Sequence, residues 1–320
     1  MFRKTILTIL CLILALCHGQ AQPSWGSRPQ RGLQPSATYQ YAVKDSVRLY
    51  LDVYEPAVGS ETTVNGKNKP TVLFMFGGGF KGGQRNGFGE RAWFSMLTER
   101  GFRVVAIDYR LGLRDMKKIN LKSIGLLDNA IDMAVKDLFS ATRYIIDNPE
   151  LGIDPDGIVL AGSSAGAISV LQAEWEVCNG MADILPDDFN YAGVMAFSGA
   201  IFSKQGKIRY RQKDPCPHLM LHGTADHIVL YKGVRFINLN FAGTSRITKT
   251  FRHKDYVYST VRYEGNGHEI ASSMIQNIDR CVDFMTVDVM QGTGRRSDTT
   301  ITDPSIQPSD WGKGNFSKLY

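Results

Sequence analysis

Cysteine is scarce in this 320-residue sequence: there are five, Cys11, Cys17, Cys178, Cys216 and Cys281. Their spacing matches no zinc or redox motif, which excludes a disulfide-framed small scaffold and a cysteine-built metal module. Long apolar runs are also few. The one extended stretch, Ile6 to Cys17, is shorter than the roughly 20 residues that span a bilayer, so a membrane bundle is excluded. An excess of one charge is missing as well, since 37 Lys and Arg stand against 31 Asp and Glu and the basic residues are scattered. A formal charge of +6 spread in this way does not call for nucleic acid. No internal repeat occurs, so a solenoid is excluded.

What is present begins with "MFRKTILTILCLILALCHGQAQ". Arg3 and Lys4 precede the apolar run, and Gly19-Gln20-Ala21 follows it, the pattern of a secretory signal cut after Ala21. Two rivals are a transmembrane anchor, for which the run is short, and a lipoprotein anchored through Cys17, for which Leu16 is too large. The expectation is an exported chain, periplasmic or secreted, with no stable membrane insertion once the signal is removed. Cys178, Cys216 and Cys281 then remain, an odd number that leaves at least one thiol unpaired or paired between molecules.

Residues 22–38, with Pro23, Pro29 and Pro35, read as a flexible leader. The fold is expected to start near Tyr39. In "VRLYLDVYEP" Val47, Leu49, Leu51 and Val53 alternate with polar residues, the mark of a half-exposed strand. "TVLFMF", "RVVAIDY", "GIVLAG", "YAGVMAFSG" and "HLMLHG" are short apolar runs that suit parallel strands covered on both faces. Ile131, Val135, Leu138, Thr142 and Ile145 recur at helical spacing, and Pro149 marks a stop. Strands alternating with helices predict an α/β fold, a mostly parallel central sheet with helices on both faces. With 43% hydrophobic residues the chain can bury a large core, and its length suits one such domain, 39–290, followed by a polar tail, 291–320.

Two glycine-rich turns need a reason. Gly77, Gly79 and Gly82 spell G-x-G-x-x-G after a predicted strand, the dinucleotide fingerprint, with Asp108 available as the acid that would hold a ribose. That oxidoreductase reading requires a helix to open at once, yet "GGQRNGFGERAW" stays polar and glycine-rich to about Ala92, and it leaves the second turn without a role. The second turn, Gly162-Ser163-Ser164-Ala165-Gly166, is G-x-S-x-G between a strand and a helix, which presents the serine hydroxyl above the sheet. By itself that pattern is equally a small-residue helix start. Asp226 in "HGTADHIV" and His268 in "YEGNGHEI" each follow a predicted strand end, in the order serine, acid, histidine. In a parallel sheet such ends share one edge.

With these residues the chain resembles the α/β-hydrolase serine esterases, particularly the carboxylesterase and hormone-sensitive-lipase-like group and the related feruloyl and acetyl xylan esterases. The likeness rests on "FGGGF", "DYRLG", "GSSAG", "HGTAD" and "GNGH" and covers about Tyr39 to Met290. It implies Ser164 as nucleophile, His268 as general base and then acid, and Asp226 as the group that orients the imidazole. It further implies an oxyanion hole from the backbone N–H groups of Gly78, Gly79 and Ala165. Phe76 departs from the family, which usually has His before the glycines; the departure bears on how that loop is braced. The resemblance calls for no cofactor and no metal. The expected substrate is a small ester or an acylated oligosaccharide, with acetyl or feruloyl groups of plant polysaccharide in view.

Three alternatives stay open at this stage. Asp108 competes with Asp226, though it precedes the nucleophile. A prolyl-peptidase-like serine peptidase shares fold and triad, but this chain has Ala167 where that group has another glycine. A catalytically silent carbohydrate-binding protein on the same scaffold is the reading from another class. His218, His222 and His227 invite a metal site, yet they read as packed residues with no carboxylate cluster beside them. His253 reads as part of a solvated basic loop. Lys204, Lys207, Arg209, Arg211 and Lys213 crowd together with Tyr210 after a strand whose end should border the site, either a solvated loop or a cationic wall for uronate-bearing chains.

Overall fold

The computed structural model describes residues 32–115 and 123–307, with side chains from residue 125 onward in the second stretch. The signal peptide expected at 1–21, the leader up to residue 31, and Trp311 and Phe316 of the tail lie outside the described residues. Among the described residues no helix is long and apolar enough to cross a membrane.

A nine-stranded sheet forms the centre. Its strands are β1 (Ala37–Lys44), β2 (Val47–Tyr54), β3 (Thr71–Met75), β4 (Arg103–Ile107), β5 (Ile158–Ser163), β6 (Gly193–Phe197), β7 (His218–Gly223), β8 (Tyr258–Tyr263) and β9 (Arg296–Ile301). Their order across the sheet is β1-β2-β4-β3-β5-β6-β7-β8-β9. β1, β2 and β4 pair antiparallel, and every pair from β4 to β9 is parallel. β3, β5, β6 and β7 are buried along their whole lengths, as strands covered on both faces must be.

The crossovers carry α1 (Phe88–Glu99), α2 (Ser123–Asp147), α3 (Ala165–Val177), α4 (Thr244–Lys254) and the short α5 (Ile278–Asp283). α1 turns Trp93, Phe94, Leu97 and Thr98 inward, one stripe of a 3.6-residue period. Phe74 of β3 meets Trp93 and Phe94 at ring-centroid distances of 5.7 and 5.1 Å. Truncating such a side chain to alanine costs about 3–5 kcal/mol. α3 packs on β5 and against α2.

Four sequence expectations need correction. β2 does not alternate cleanly, because it is an inner strand: Val47 is exposed while Asp52 and Tyr54 are buried. A second, antiparallel sheet of Ala200–Ser203, Leu239–Gly243 and Val234–Phe236 was not foreseen. His253 is exposed as expected but lies in α4, which buries Ile247, Thr248 and Phe251 under a largely basic surface, and not in a loop. The domain also continues past residue 290. β9, read as part of the polar tail 291–320, extends the sheet through its backbone ladder with β8. Asp298 on it is held by Arg252 and, at 2.7 Å, by Arg262. Charge pairing replaces the apolar alternation that pattern reading depends on.

Candidate active site

β5 runs straight into Ser164, whose backbone stands at φ 51° and ψ −114°, a region costly for any residue with a Cβ. The surrounding structure enforces it. The Ser164 N–H donates to the Phe197 carbonyl at 2.9 Å, and α3 begins at the next residue. A Cβ on Gly162 would collide with the backbone of Gly166, and one on Gly166 would collide with the carbonyl of Met75. The two glycines therefore let strand, turn and helix pack at backbone contact.

Ser164 Oγ lies 2.8 Å from His268 Nε2, and His268 Nδ1 lies 2.8 Å from Asp226 Oδ2. All three residues are at least nine-tenths buried. Asp226 sits in the turn after β7, where its Oδ1 accepts the N–H groups of Ile228 and Val229 at 2.8 and 2.9 Å. Burial alone would raise this carboxyl, but the charge of His268 and hydrogen bonds from His222 and His268 hold it well below the usual carboxylate range. His268 starts a short 3₁₀ turn after β8, and its loop rests on the acid's loop. A Cβ on Gly223 would strike the carbonyls of Asn266 and Gly267, while Ala225 N–H donates to Asn266 O at 2.9 Å. Ser163 Oγ donates to Ala271 O at 2.7 Å and ties the histidine loop to the serine turn.

The glycine-rich loop lies beside them, since a Cβ on Gly77 would touch Ser163 and the Ser164 side chain. Gly78 and Gly79 have φ of 115° and 63°. The N–H groups of Gly78, Gly79 and Ala165 donate to no backbone carbonyl among the described residues, which leaves them available to an oxyanion. The N-terminus of α3 adds its positive dipole end at the same place. Phe76, in place of the family's histidine, stacks on Tyr109 at 4.4 Å, and the Tyr109 hydroxyl donates to Phe76 O at 2.9 Å. The loop leaves this turn without opening a helix, which starts only at Phe88.

Asp108 is placed away from His268: its carboxylate accepts from Arg85 at 2.7 Å and from Tyr50 N–H at 3.2 Å. The histidines of β7 separate into two settings, and His227 is exposed. His218 meets a carboxylate after all, because α3 carries Glu174 to 3.5 Å from its Nε2. Glu174, Cys216 and His218 are the described residues whose ligand-type atoms gather, within 4.8 Å of one another. Local partners account for much of this group. His218 Nδ1 donates to Cys216 O at 2.8 Å, and Glu174 Oε1 accepts from Cys216 N–H at 3.1 Å and from the Cys178 thiol at 3.2 Å. Cys178, Cys216 and Cys281 are all buried free thiols. In the basic segment Lys204 pairs with Asp128 at 2.9 Å, Tyr210 packs inward on Phe251 and Tyr256, and Arg209 and Arg211 are exposed.

Sequence reading missed His222. Its Nε2 stands 3.2 Å from Asp226 Oδ2, and its signal in the chain is its place at the head of "HGTAD", four residues before the acid.

Residues 27–174 match the Carboxylesterase family, a segment that takes in the glycine loop and the Ser164 turn and stops before Asp226 and His268. Carboxylesterase 5A of Felis catus is 32% identical over 128 residues, 38% of this chain and 20% of that protein. A secreted triacylglycerol lipase of Gibberella zeae is 27% identical over 164 residues, 48% of this chain and 24% of that protein. The chain thus matches about a fifth to a quarter of the length of these curated relatives. Among solved structures, butyrate-bound esterase 2 of Thermogutta terrifontis superposes with a TM-score of 0.58 at 21% identity, covering 80% of this chain and 95% of that one. The same esterase phosphorylated by paraoxon gives 0.55 at 20% identity, covering 82% and 98%. At that identity the likeness establishes the fold, that of the α/β hydrolases.

Proposed function

We propose that this chain, an α/β hydrolase related to the carboxylesterases, hydrolyses carboxylic esters through an acyl-enzyme on Ser164. The observation that carries the reading is the continuous line of 2.8 Å contacts from Ser164 Oγ through His268 to Asp226 at a strained strand–helix turn. A serine hydroxyl is a weak nucleophile until a base takes its proton, and His268 Nε2 is within reach to do so. The Oγ then attacks the ester carbonyl, and the oxygen that gains charge meets the N–H groups of Gly78, Gly79 and Ala165. His268 passes the proton to the leaving alcohol. Water repeats the steps on the acyl-enzyme, and Asp226 keeps Nδ1 protonated throughout, so that Nε2 is the free base.

The test is Ser164→Ala against p-nitrophenyl acetate. The variant should fold and retain no more than about one part in a thousand of kcat. Paraoxon, which phosphorylates the Thermogutta esterase, should add one covalent phosphoryl group to the unaltered chain and none to the variant, read by intact mass. Retained activity or retained labelling would sink the assignment. An aminoacyl p-nitroanilide assayed in parallel distinguishes a peptidase, and a silent binding protein would turn over neither substrate.

The finer reading is an exported enzyme that removes acyl groups from oligosaccharides, with Arg209 and Arg211 favouring chains that bear uronic acids. It is supported by the secretory pattern of Met1 to Ala21, the secreted lipase among the relatives, and the exposure of both arginines. Acetylated glucuronate-bearing oligosaccharides should be cleaved faster than neutral ones at low salt, with the preference shrinking as salt is added. Equal kcat/KM for both would remove the charge preference and leave the esterase reading intact.

A further inference from the structure

We propose that His222 is a positioning residue of this site, sharing Asp226 with His268 so that the carboxylate is fixed and its pull on the His268 imidazole is moderated. The proposal rests on the esterase reading above and concerns how the same three residues are tuned.

The argument starts from the proton inventory. His222 is fully buried at the end of β7, and its Nε2 lies 2.7 Å from the carbonyl oxygen of Val229. A carbonyl only accepts, so Nε2 carries a hydrogen. The same nitrogen is 3.2 Å from Asp226 Oδ2, the oxygen that also faces His268 Nδ1 at 2.8 Å. One N–H is thereby divided between the Val229 carbonyl, which closes the acid's turn, and the carboxylate itself. With Ile228 and Val229 N–H on Oδ1, Asp226 is met by four donors and has no freedom to rotate away from His268.

The far side of the ring is anchored as well. His222 Nδ1 is 2.8 Å from Thr244 Oγ1 at the start of α4, a hydroxyl that donates to the neutral ring and can equally accept from a charged one. Tyr231 packs edge-on against the ring at 5.6 Å. The other ionisable groups near it are few: Asp226 and His268 on the loops above, the Tyr231 hydroxyl, and Arg262 opposite it on β8, which is engaged with Asp298.

Two effects follow. Loss of the clamp lets Asp226 and its turn move, which lowers kcat. Loss of an N–H from Oδ2 leaves more charge on that oxygen to stabilise a protonated His268, which moves the acidic limb of kcat/KM to higher pH. A residue that served only to fill space would lower stability or the active fraction and leave the limb where it was.

The experiment compares His222→Phe, His222→Gln and His222→Asn with the unaltered chain on p-nitrophenyl acetate, active sites being counted by paraoxon labelling. For His222→Phe, kcat per active site should fall about 10- to 100-fold with KM within about twofold, and the acidic midpoint should rise by about half a unit or more. Gln places an amide N–H near the depth of Nε2 and should recover most of the loss and the midpoint; Asn reaches only the depth of Nδ1 and should behave like Phe. If Phe fails to fold, the Gln and Asn pair decides. A midpoint that stays fixed in every variant, or equal kcat for Gln and Asn, overturns the proposal. Loss of paraoxon labelling in Ser164→Ala together with that result keeps the esterase reading, whereas labelling that persists there removes both.

Discussion

At Asp226 burial and charge pull in opposite directions. Loss of solvent pushes the carboxyl up, yet the His268 charge and the N–H groups of His222 and His268 bring it well below its ordinary 3.8. A depressed folded-state value means that the stability tied to this ionisation is present above 3.8 and is lost only as pH falls through the lower folded value. An acidic limb of kcat/KM in the mild range would therefore not come from protonation of Asp226. Replacement of the carboxylate is expected to act through His268: Asp226→Asn, which presents an amide to Nδ1 and permits the wrong tautomer, should lower kcat about 10⁴-fold while KM stays nearly constant. Steady-state kinetics on p-nitrophenyl acetate measure this, and a loss under tenfold would show that another group holds the imidazole. That Ser164, Asp226 and His268 come together was legible in the sequence because each follows a strand end in a fixed order. His222 was not, since its role depends on which way one N–H points after the turn has folded back.

Among the elements, the glycine loop carries the sharpest conformational demand. Gly78 stands at φ 115°, and a Cβ there would collide with the carbonyl of Gly82. Gly78→Ala must rotate the peptides that present the Gly78 and Gly79 N–H groups. One lost oxyanion donor is worth about 2.7–4 kcal/mol, so kcat should fall at least about 100-fold while the Ser164 side chain still takes up paraoxon slowly. An unchanged kcat would place the oxyanion donors elsewhere. The loop is braced from below in a way the sequence shows only as a departure. Phe76 stacks on Tyr109, Leu113 N–H donates to Phe80 O at 2.9 Å, and Arg85 bridges Asp52 and Asp108 at 2.9 and 2.7 Å. "DYRLG" is thus a support for "FGGGF", a link between motifs that only the third dimension displays. Where apolar periodicity is strong, from β3 to β7, reading and structure agree to within two residues at the strand ends. In β9, where pairing rests on charge, periodicity carried no signal and the strand went unseen; in α4 the stripe of Ile247, Thr248 and Phe251 was present but short and set among basic residues, and it was read as a loop.

For the whole molecule, the buried group around Glu174 sets a dependence on pH that is separate from catalysis. Burial raises Glu174 to about 8 from an ordinary 4.5, against hydrogen bonds from Cys178 and Cys216 that act to lower it. Burial likewise lowers His218 to about 4 from 6.5. Both shifts describe a neutral pair. With Nδ1 of His218 donating to Cys216 O, its Nε2 holds a lone pair, and the protonated carboxyl 3.5 Å away is the donor that faces it. The signs follow from proton counts. Above about 4.5 the unfolded chain releases the Glu174 proton while the folded one keeps it up to about 8, so stability falls as pH rises across that window. For His218 the unfolded chain takes up a proton below 6.5 and the folded one only near 4, so stability falls as pH drops across that range. The two slopes oppose each other in mild acid, and from pH 6.5 to 8 the glutamate acts alone. Glu174→Gln keeps the acceptor for Cys216 N–H and offers His218 Nε2 an N–H that never titrates. The unaltered chain should lose melting temperature relative to this variant as pH rises from about 4.5 to about 8, and the two curves should run parallel only below about pH 4.5. Calorimetry at matched ionic strength measures both, and a gap that fails to widen with rising pH would mean that Glu174 is already ionised in the folded protein.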